Sequence, residues 1–192
     1  MTSTARTPTR RGPRLGVDDW IGGALDLIGE EGLTAVKIDR LAQRLGVTKG
    51  SFYWHFEDLA SFLATVAERW CAGREELRVM LDALEKLPPR ERLVRMVELV
   101  MDARHWRLER AAREWARTST RVRNTLARSD RWILDTERRA FVELGFSPHE
   151  AEVRANTLFY AGMGFILTGP ADAQLERDQV ESLLQVLSQR PG

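Results

Sequence analysis

The chain is poor in the residues that mark redox, metal-binding or secreted proteins. Its 192 residues include one cysteine, Cys71, which excludes an internal disulfide framework and suits a reducing compartment. Cys71 reads as a small buried hydrophobe within a helix. There are three histidines, His55, His105 and His149, too scattered for a paired-histidine zinc motif. No glycine-rich phosphate loop and no nucleophile elbow is present, so an enzyme is the least favoured function class. Net charge is only +1, so any affinity for nucleic acid must come from a local cluster rather than a global field. Long apolar runs are missing too. The best stretch, 157–169, is broken by polar residues and glycine, and falls short of the roughly 20 residues that cross a bilayer. Residues 1–16 scatter Arg6, Arg10, Arg11 and Arg14 among Thr, Ser, Pro and Gly, with no apolar core for a signal peptide. The expectation is a cytoplasmic protein with no membrane partner, no cofactor and no metal.

Alternating β-branched runs and hairpin turns are absent as well, whereas helical periodicity is nearly continuous. Hydrophobic content of 43% is ample for a packed core. Val17, Ile21, Ala24, Leu25 and Ile28 form the first stripe, which Gly32 should end as a left-handed cap. Ile38, Leu41, Ala42 and Leu45 mark a second helix closed by Gly46, and Thr48 is placed to cap a short third one running to Phe56. A long helix follows Asp58 with Leu59, Phe62, Leu63, Val66 and Trp70, continues past Gly73 to Leu84, and stops at Pro88-Pro89. Leu93, Val94, Val97, Val100 and Met101 mark a fifth helix, and 106–116 a sixth. The seventh carries Val122, Leu126, Ile133, Ala140, Phe141 and Leu144 up to Gly145. Ser147-Pro148-His149-Glu150 is a capping box with proline at the first helical position, and Val180, Leu183, Leu184 and Leu187 mark the last helix. The fold class is therefore all-α, with about nine helices.

Segment 41–56 reads Leu-Ala-Gln-Arg-Leu-Gly-Val-Thr-Lys-Gly-Ser-Phe-Tyr-Trp-His-Phe, a helix, a glycine-containing turn and a second short helix. Ala42 is small where two helices meet, and Leu45, Val47, Phe52 and Phe56 point inward. Left outward are Thr48, Lys49, Gly50, Ser51, Tyr53, Trp54 and His55, a set of donors, a cation and aromatics. From Val17 to about Val66 the chain resembles the N-terminal domain of the tetracycline-repressor (TetR) family. The likeness rests on Gly32-Leu33, Leu41-Ala42, the Gly46-Val47-Thr48-Lys49-Gly50-Ser51 turn and the Phe52-Tyr53-Trp54-His55-Phe56 ending.

That resemblance implies a DNA-binding domain over 17–58, preceded by a basic arm over 1–16 and followed by a ligand-binding and dimerising helical domain over 59–192. It implies double-stranded operator DNA and a second copy of the chain as partners, with an unknown small-molecule effector that loosens the grip on DNA. Carried over by position, Thr48, Lys49, Gly50 and Ser51 would face base edges or nearby phosphates. Tyr53 and His55 would hold phosphates, Trp54 would lie on the DNA side, and Lys37 would meet a phosphate at the start of the second helix. Two positions depart from the family pattern. Lys37 stands where a Ser or Thr cap is common, and Leu59, after Glu57-Asp58, stands where a phosphate-binding Lys is common. In the C-terminal region Trp70, Met101, His105, Trp106, Trp115, Phe159 and Met163 are candidates to line an effector pocket. His105 and Glu109, four residues apart, read as a surface pair. Ala155, Ala161, Gly162 and Gly164 would allow close approach across a dyad. A ligand-independent DNA-binding dimer or an activator is the alternative function, with a helical enzyme third.

Overall fold

A computed structural model describes residues 15–100, 103–169 and 176–189. Met101 and residues 1–14 of the expected basic arm lie outside them, and the side chain of His105 is likewise not described. The described residues form nine α-helices and no strand. These are α1 (Val17–Glu31), α2 (Ile38–Arg44), α3 (Lys49–Tyr53), α4 (Leu59–Leu84), α5 (Pro89–Val100), α6 (Ala103–Trp115), α7 (Thr120–Glu143), α8 (Pro148–Thr168) and α9 (Arg177–Leu187). A 3-10 turn at Leu33–Ala35 links α1 to α2.

Local chemistry explains most helix ends. Asp58 caps α4, its Oδ1 accepting from the Ser61 N–H at 2.7 Å. Ser147 and Glu150 form the expected reciprocal box on α8, with Ser147 N–H donating to Glu150 Oε2 at 2.9 Å. Both carboxyls sit below the usual range, Glu150 through the Ser147 hydroxyl and Asp58 through the Ser61 backbone N–H. Two expectations need correction. Thr48 occupies the N-cap position of α3, but its side chain makes no capping bond and the helix ends at Tyr53, short of Phe56. Gly32 has φ +87° and ψ 169°, so it closes α1 at a positive φ that favours glycine but with a ψ outside the left-handed helical region.

Two hydrophobic centres organise the chain. The first contains Trp20, Leu27, Phe52, Phe62, Val66, Trp70, Trp115, Val122 and Leu126, so it runs unbroken from α1 and α3 through α4 into α6 and α7. The second gathers Leu93, Phe141, Phe146, Leu158, Leu184 and Leu187 from α5, α7, α8 and α9. Full burial of one such side chain contributes roughly 1.5–3 kcal/mol, enough to fix α4 to both neighbouring layers. Val17, expected within the α1 stripe, is instead exposed. Ala155 faces the second core and not a free surface.

Charge is buried as well. Glu109, expected on the surface, is 3% exposed and takes Arg74 on one oxygen at 3.1 Å and Arg113 on the other at 2.8 Å. Arg113 also forks onto Asp130 at 2.6 and 2.8 Å. Glu137 on α7 is different. It is buried, Oε2 has no hydrogen-bond partner among the described residues, and burial pushes its carboxyl up to about 8. The native state therefore holds a proton that the unfolded chain releases near 4.5. Stability should fall as pH rises from about 5 to 8, at most about 1.4 kcal/mol per pH unit, and level off above. Glu137→Gln should flatten that slope and raise the melting temperature at pH 8 relative to the parent, as thermal unfolding monitored by circular dichroism will show.

Candidate nucleic-acid interface

The 41–56 segment folds as two short helices around a tight turn. Leu45 N–H closes α2 onto Leu41 O at 2.9 Å, and Val47 N–H reaches back to Ala42 O at 2.9 Å. Gly46 between them has φ +68°, a conformation that a side chain would strain. Gly23 on α1 allows a second close approach, because a Cβ there would stand 3.0 Å from Leu45 Cδ2.

The orientation of α3 is set by Phe52, which is fully buried. Its ring meets Trp20 of α1 at 5.4 Å, Phe56 at 5.2 Å and Phe62 of α4 at 5.3 Å, the Trp20 and Phe62 contacts being edge-on. Phe56 and Phe62 add a further pair at 4.6 Å. Because one side of a five-residue helix is locked this way, its other side must face solvent. Thr48, Lys49, Gly50 and His55 are exposed, Ser51 is half-buried, and Tyr53 and Trp54 are 59% and 88% exposed. Lys37, at the N-cap of α2, is exposed on the same motif. The structure thus brings all eight residues read from the sequence onto one short helix-turn-helix.

The ion pairs around that motif were not legible from spacing. Lys49 Nζ lies 2.6 Å from Asp39 Oδ1 of α2. Arg44 forks onto Glu30 at 2.7 Å for each bond, and Arg40 pairs with Glu31. Glu30 is held below the ordinary carboxylate range by its Arg44 hydrogen bonds. Among the described residues Lys37 has no carboxylate partner, which leaves it the cation of the motif most open to a phosphate. The Lys49–Asp39 pair is solvent-exposed on both sides, and such pairs are worth about 0–1 kcal/mol. Lys49 can therefore exchange Asp39 for a phosphate at little cost.

The candidate pocket residues have a different fate. Trp70 and Trp115 belong to the first core, with the Arg74 guanidinium 5.6 Å from the Trp70 ring centre. Trp106 is buried edge-on against Phe165 at 4.8 Å, and Phe159 is buried edge-on to Tyr160 at 5.3 Å. Met163 is half-buried. None of these side chains lines any of three described cavities, which lie between α4 and α7 and between α1 and α6. Among the described residues no three His, Cys, Asp or Glu side chains could jointly hold a metal, and no helix is long and apolar enough to cross a membrane.

An all-helical chain that presents a cation, hydroxyls and aromatics from a helix-turn-helix locked onto the rest of its core is a DNA-binding regulator by class. The family model described as "Bacterial regulatory proteins, tetR family" matches residues 21–64, from α1 into the start of α4. The class A tetracycline repressor protein from transposon 1721 of Escherichia coli is 30% identical over 157 residues, 80% of this chain and 68% of that protein. The chain belongs to the TetR family and is a DNA-binding transcriptional regulator; the family is one of regulators, not enzymes. Solved structures agree in fold. A transcriptional regulator from Rhodococcus sp. Rha1 superposes with TM-score 0.67 at 20% identity, covering 91% of this chain and 94% of that one. One from Saccharomonospora viridis, in complex with choline, gives 0.63 at 22% identity over 89% and 92%.

Scaffold and surface should separate cleanly on substitution. Phe52→Ala should destabilise the protein by about 3–5 kcal/mol, since it opens a cavity among the rings of Trp20, Phe56 and Phe62. Trp54→Ala should stay within about 0.5 kcal/mol of the parent. Urea unfolding of both variants is the measurement; equal losses would mean that Trp54 is structural rather than presented.

Proposed function

We propose that the protein is a repressor that grips operator DNA as a homodimer and is released by a small-molecule effector. The observation that carries the reading is the exposed face of α3 and the turn that follows it, with Lys49, Tyr53, Trp54 and His55 outward while Phe52 anchors the helix from behind. Thr48, Lys49, Gly50 and Ser51 are assigned to base edges and adjacent phosphates, and Lys37, Tyr53 and His55 to the backbone. Trp54 is assigned to the DNA side.

One helix-turn-helix offers little surface, and two related by a dyad would place recognition helices about one DNA turn, roughly 34 Å, apart. An unpartnered stripe supports that pairing. Val153, Tyr160 and Leu167 are exposed apolar residues of α8 seven apart, with Thr157 and Gly164 between them. Val186 extends the stripe onto α9. Ala161 and Gly164 are exposed and small, so a second α8 could approach closely.

The effector is placed among the C-terminal helices, with Trp70, Met101, His105, Trp106, Trp115, Phe159 and Met163 as the candidate surroundings. The choline complex of a similarly folded regulator is in keeping with a small-molecule effector. Because only five residues separate α3 from α4 and Trp70 of α4 lies in the core shared with α7, a ligand that tilts α4 would move the recognition helices.

Three outcomes test the reading. Lys49→Ala should weaken binding to operator captured from genomic DNA and reduce the salt slope by about one unit. Asp39→Asn should instead raise affinity a few-fold at low salt, with the gain fading as salt rises. Titrations by fluorescence anisotropy measure both, and an unchanged slope for Lys49→Ala would remove Lys49 from the interface. Tyr160→Glu and Leu167→Glu each bring like charges together across the dyad, and should give monomers in light scattering at micromolar concentration with lost operator binding. A native chain that is itself monomeric there would overturn the dimer.

A further inference from the structure

We propose that the cavity between α4 and α7 is a binding site for a small organic anion, a carboxylate carried on a flat apolar body. It is lined by none of the residues proposed above to surround the effector, and rests on the effector reading only for its regulatory consequence. The cavity holds about 260 Å³, below the roughly 300–1,000 Å³ of sites for drug-sized ligands, which suits a molecule of one or two rings. Its walls are Arg74, Glu75 and Arg78 from α4 and Thr125, Arg128, Ser129, Trp132 and Ile133 from α7. Three guanidiniums thus face one carboxylate. Glu75 does not repel an anion strongly, because Arg78 Nε holds it at 2.7 Å while a second Arg78 nitrogen engages Asp82 at 2.8 Å.

Arg74 and Arg128 are the groups left with unspent capacity. Arg74 is 9% exposed, and its Nε is buried with no hydrogen-bond partner among the described residues. A charged donor left that way is costly, so a ligand oxygen there would be rewarded. Stacking near Trp70 holds the guanidinium in place. Arg128 folds back on Thr125, its Nη2 donating to Oγ1 at 3.2 Å, and pairs with no carboxylate among the described residues. A carboxylate accepting from both arginines would use the planar fork for which guanidinium is suited. Trp132 and Ile133 then supply the apolar wall, and the Thr125 and Ser129 hydroxyls add donors. Inorganic phosphate satisfies the charges but leaves that wall empty. A ligand bridging the two walls would fix the separation of α4 and α7, and α4 is the helix that leads directly from α3.

The test titrates the full-length protein with benzoate, salicylate and phenylacetate, with benzamide, benzylammonium and inorganic phosphate as contrasts. Calorimetry gives affinity, and the tryptophan quench absent from Trp132→Phe places the ligand. At least one carboxylate should bind and quench Trp132, with benzamide and phosphate at least about tenfold weaker and benzylammonium not bound. Arg128→Gln, an exposed position whose variant should fold normally by circular dichroism, should bind that carboxylate about tenfold more weakly, the loss of one charged hydrogen bond. Failure of all three carboxylates to bind overturns the proposal. So does equal binding of benzoate and benzamide, of phosphate and the carboxylate, or of parent and Arg128→Gln. Operator release is measured separately by anisotropy. Arg128-dependent binding without release would leave the site standing and sink the induction reading; release by a compound to which Arg128→Gln is indifferent would do the reverse.

Discussion

The burial of Phe52 is the constraint on which the rest of the molecule turns. A five-residue helix has almost no stability of its own, because nucleation costs more than its few hydrogen bonds return. The ring of Phe52 among Trp20, Phe56 and Phe62 makes α3 part of the core that α1 and α4 already share. The same contact that gives α3 its existence therefore gives it its direction, and ties that direction to the tilt of α4. A movement of α4 would reach α3 through the rings of Phe62 and Phe52, which pack directly against each other.

Electrostatics around the motif follow a complementary logic. The chain is almost neutral, and the cations of α2 and α3 are largely held by nearby acids: Arg40 by Glu31, Arg44 by Glu30, Lys49 by Asp39. The first two brace α2 against the end of α1, and so serve the scaffold. The Lys49–Asp39 pair braces nothing buried and lies where phosphate would compete.

The C-terminal half is unusually polar inside. Arg74, Glu109, Arg113 and Asp130 form a chain of alternating charge across α4, α6 and α7, and Glu137, one turn beyond Ile133 on α7, is buried with its Oε2 lacking a partner among the described residues. Networks of this kind contribute little net stability compared with hydrophobic packing, but they penalise other arrangements of the same helices. This polar network reaches α4 and α7, the two helices that also wall the cavity proposed to take an anion.

Helix number, order and most boundaries were readable from the sequence, because apolar spacing, the Ser147-Glu150 box and the prolines at 88 and 89 act over a few residues and need no partner. The outward placement of Thr48, Lys49, Gly50, Tyr53, Trp54 and His55 was readable because burying Phe52 on a short helix decides which side its neighbours take, whereas Ser51, read as outward too, is half-buried. Cap geometry at Thr48 and Gly32 departed from expectation, since a side-chain rotamer or ψ angle answers to the next element as much as to its own. Only tertiary structure could pair Lys49 with Asp39, turn Glu109 inward to two arginines, or put Ala155 in the core while leaving Val153 and Tyr160 bare. The tryptophans of the C-terminal region carried no signal to tell core from cavity wall, because an apolar residue at helical spacing looks the same for both. Which of two apolar faces meets a neighbour depends on the crossing of helices distant in sequence, and that is settled by packing, not by periodicity.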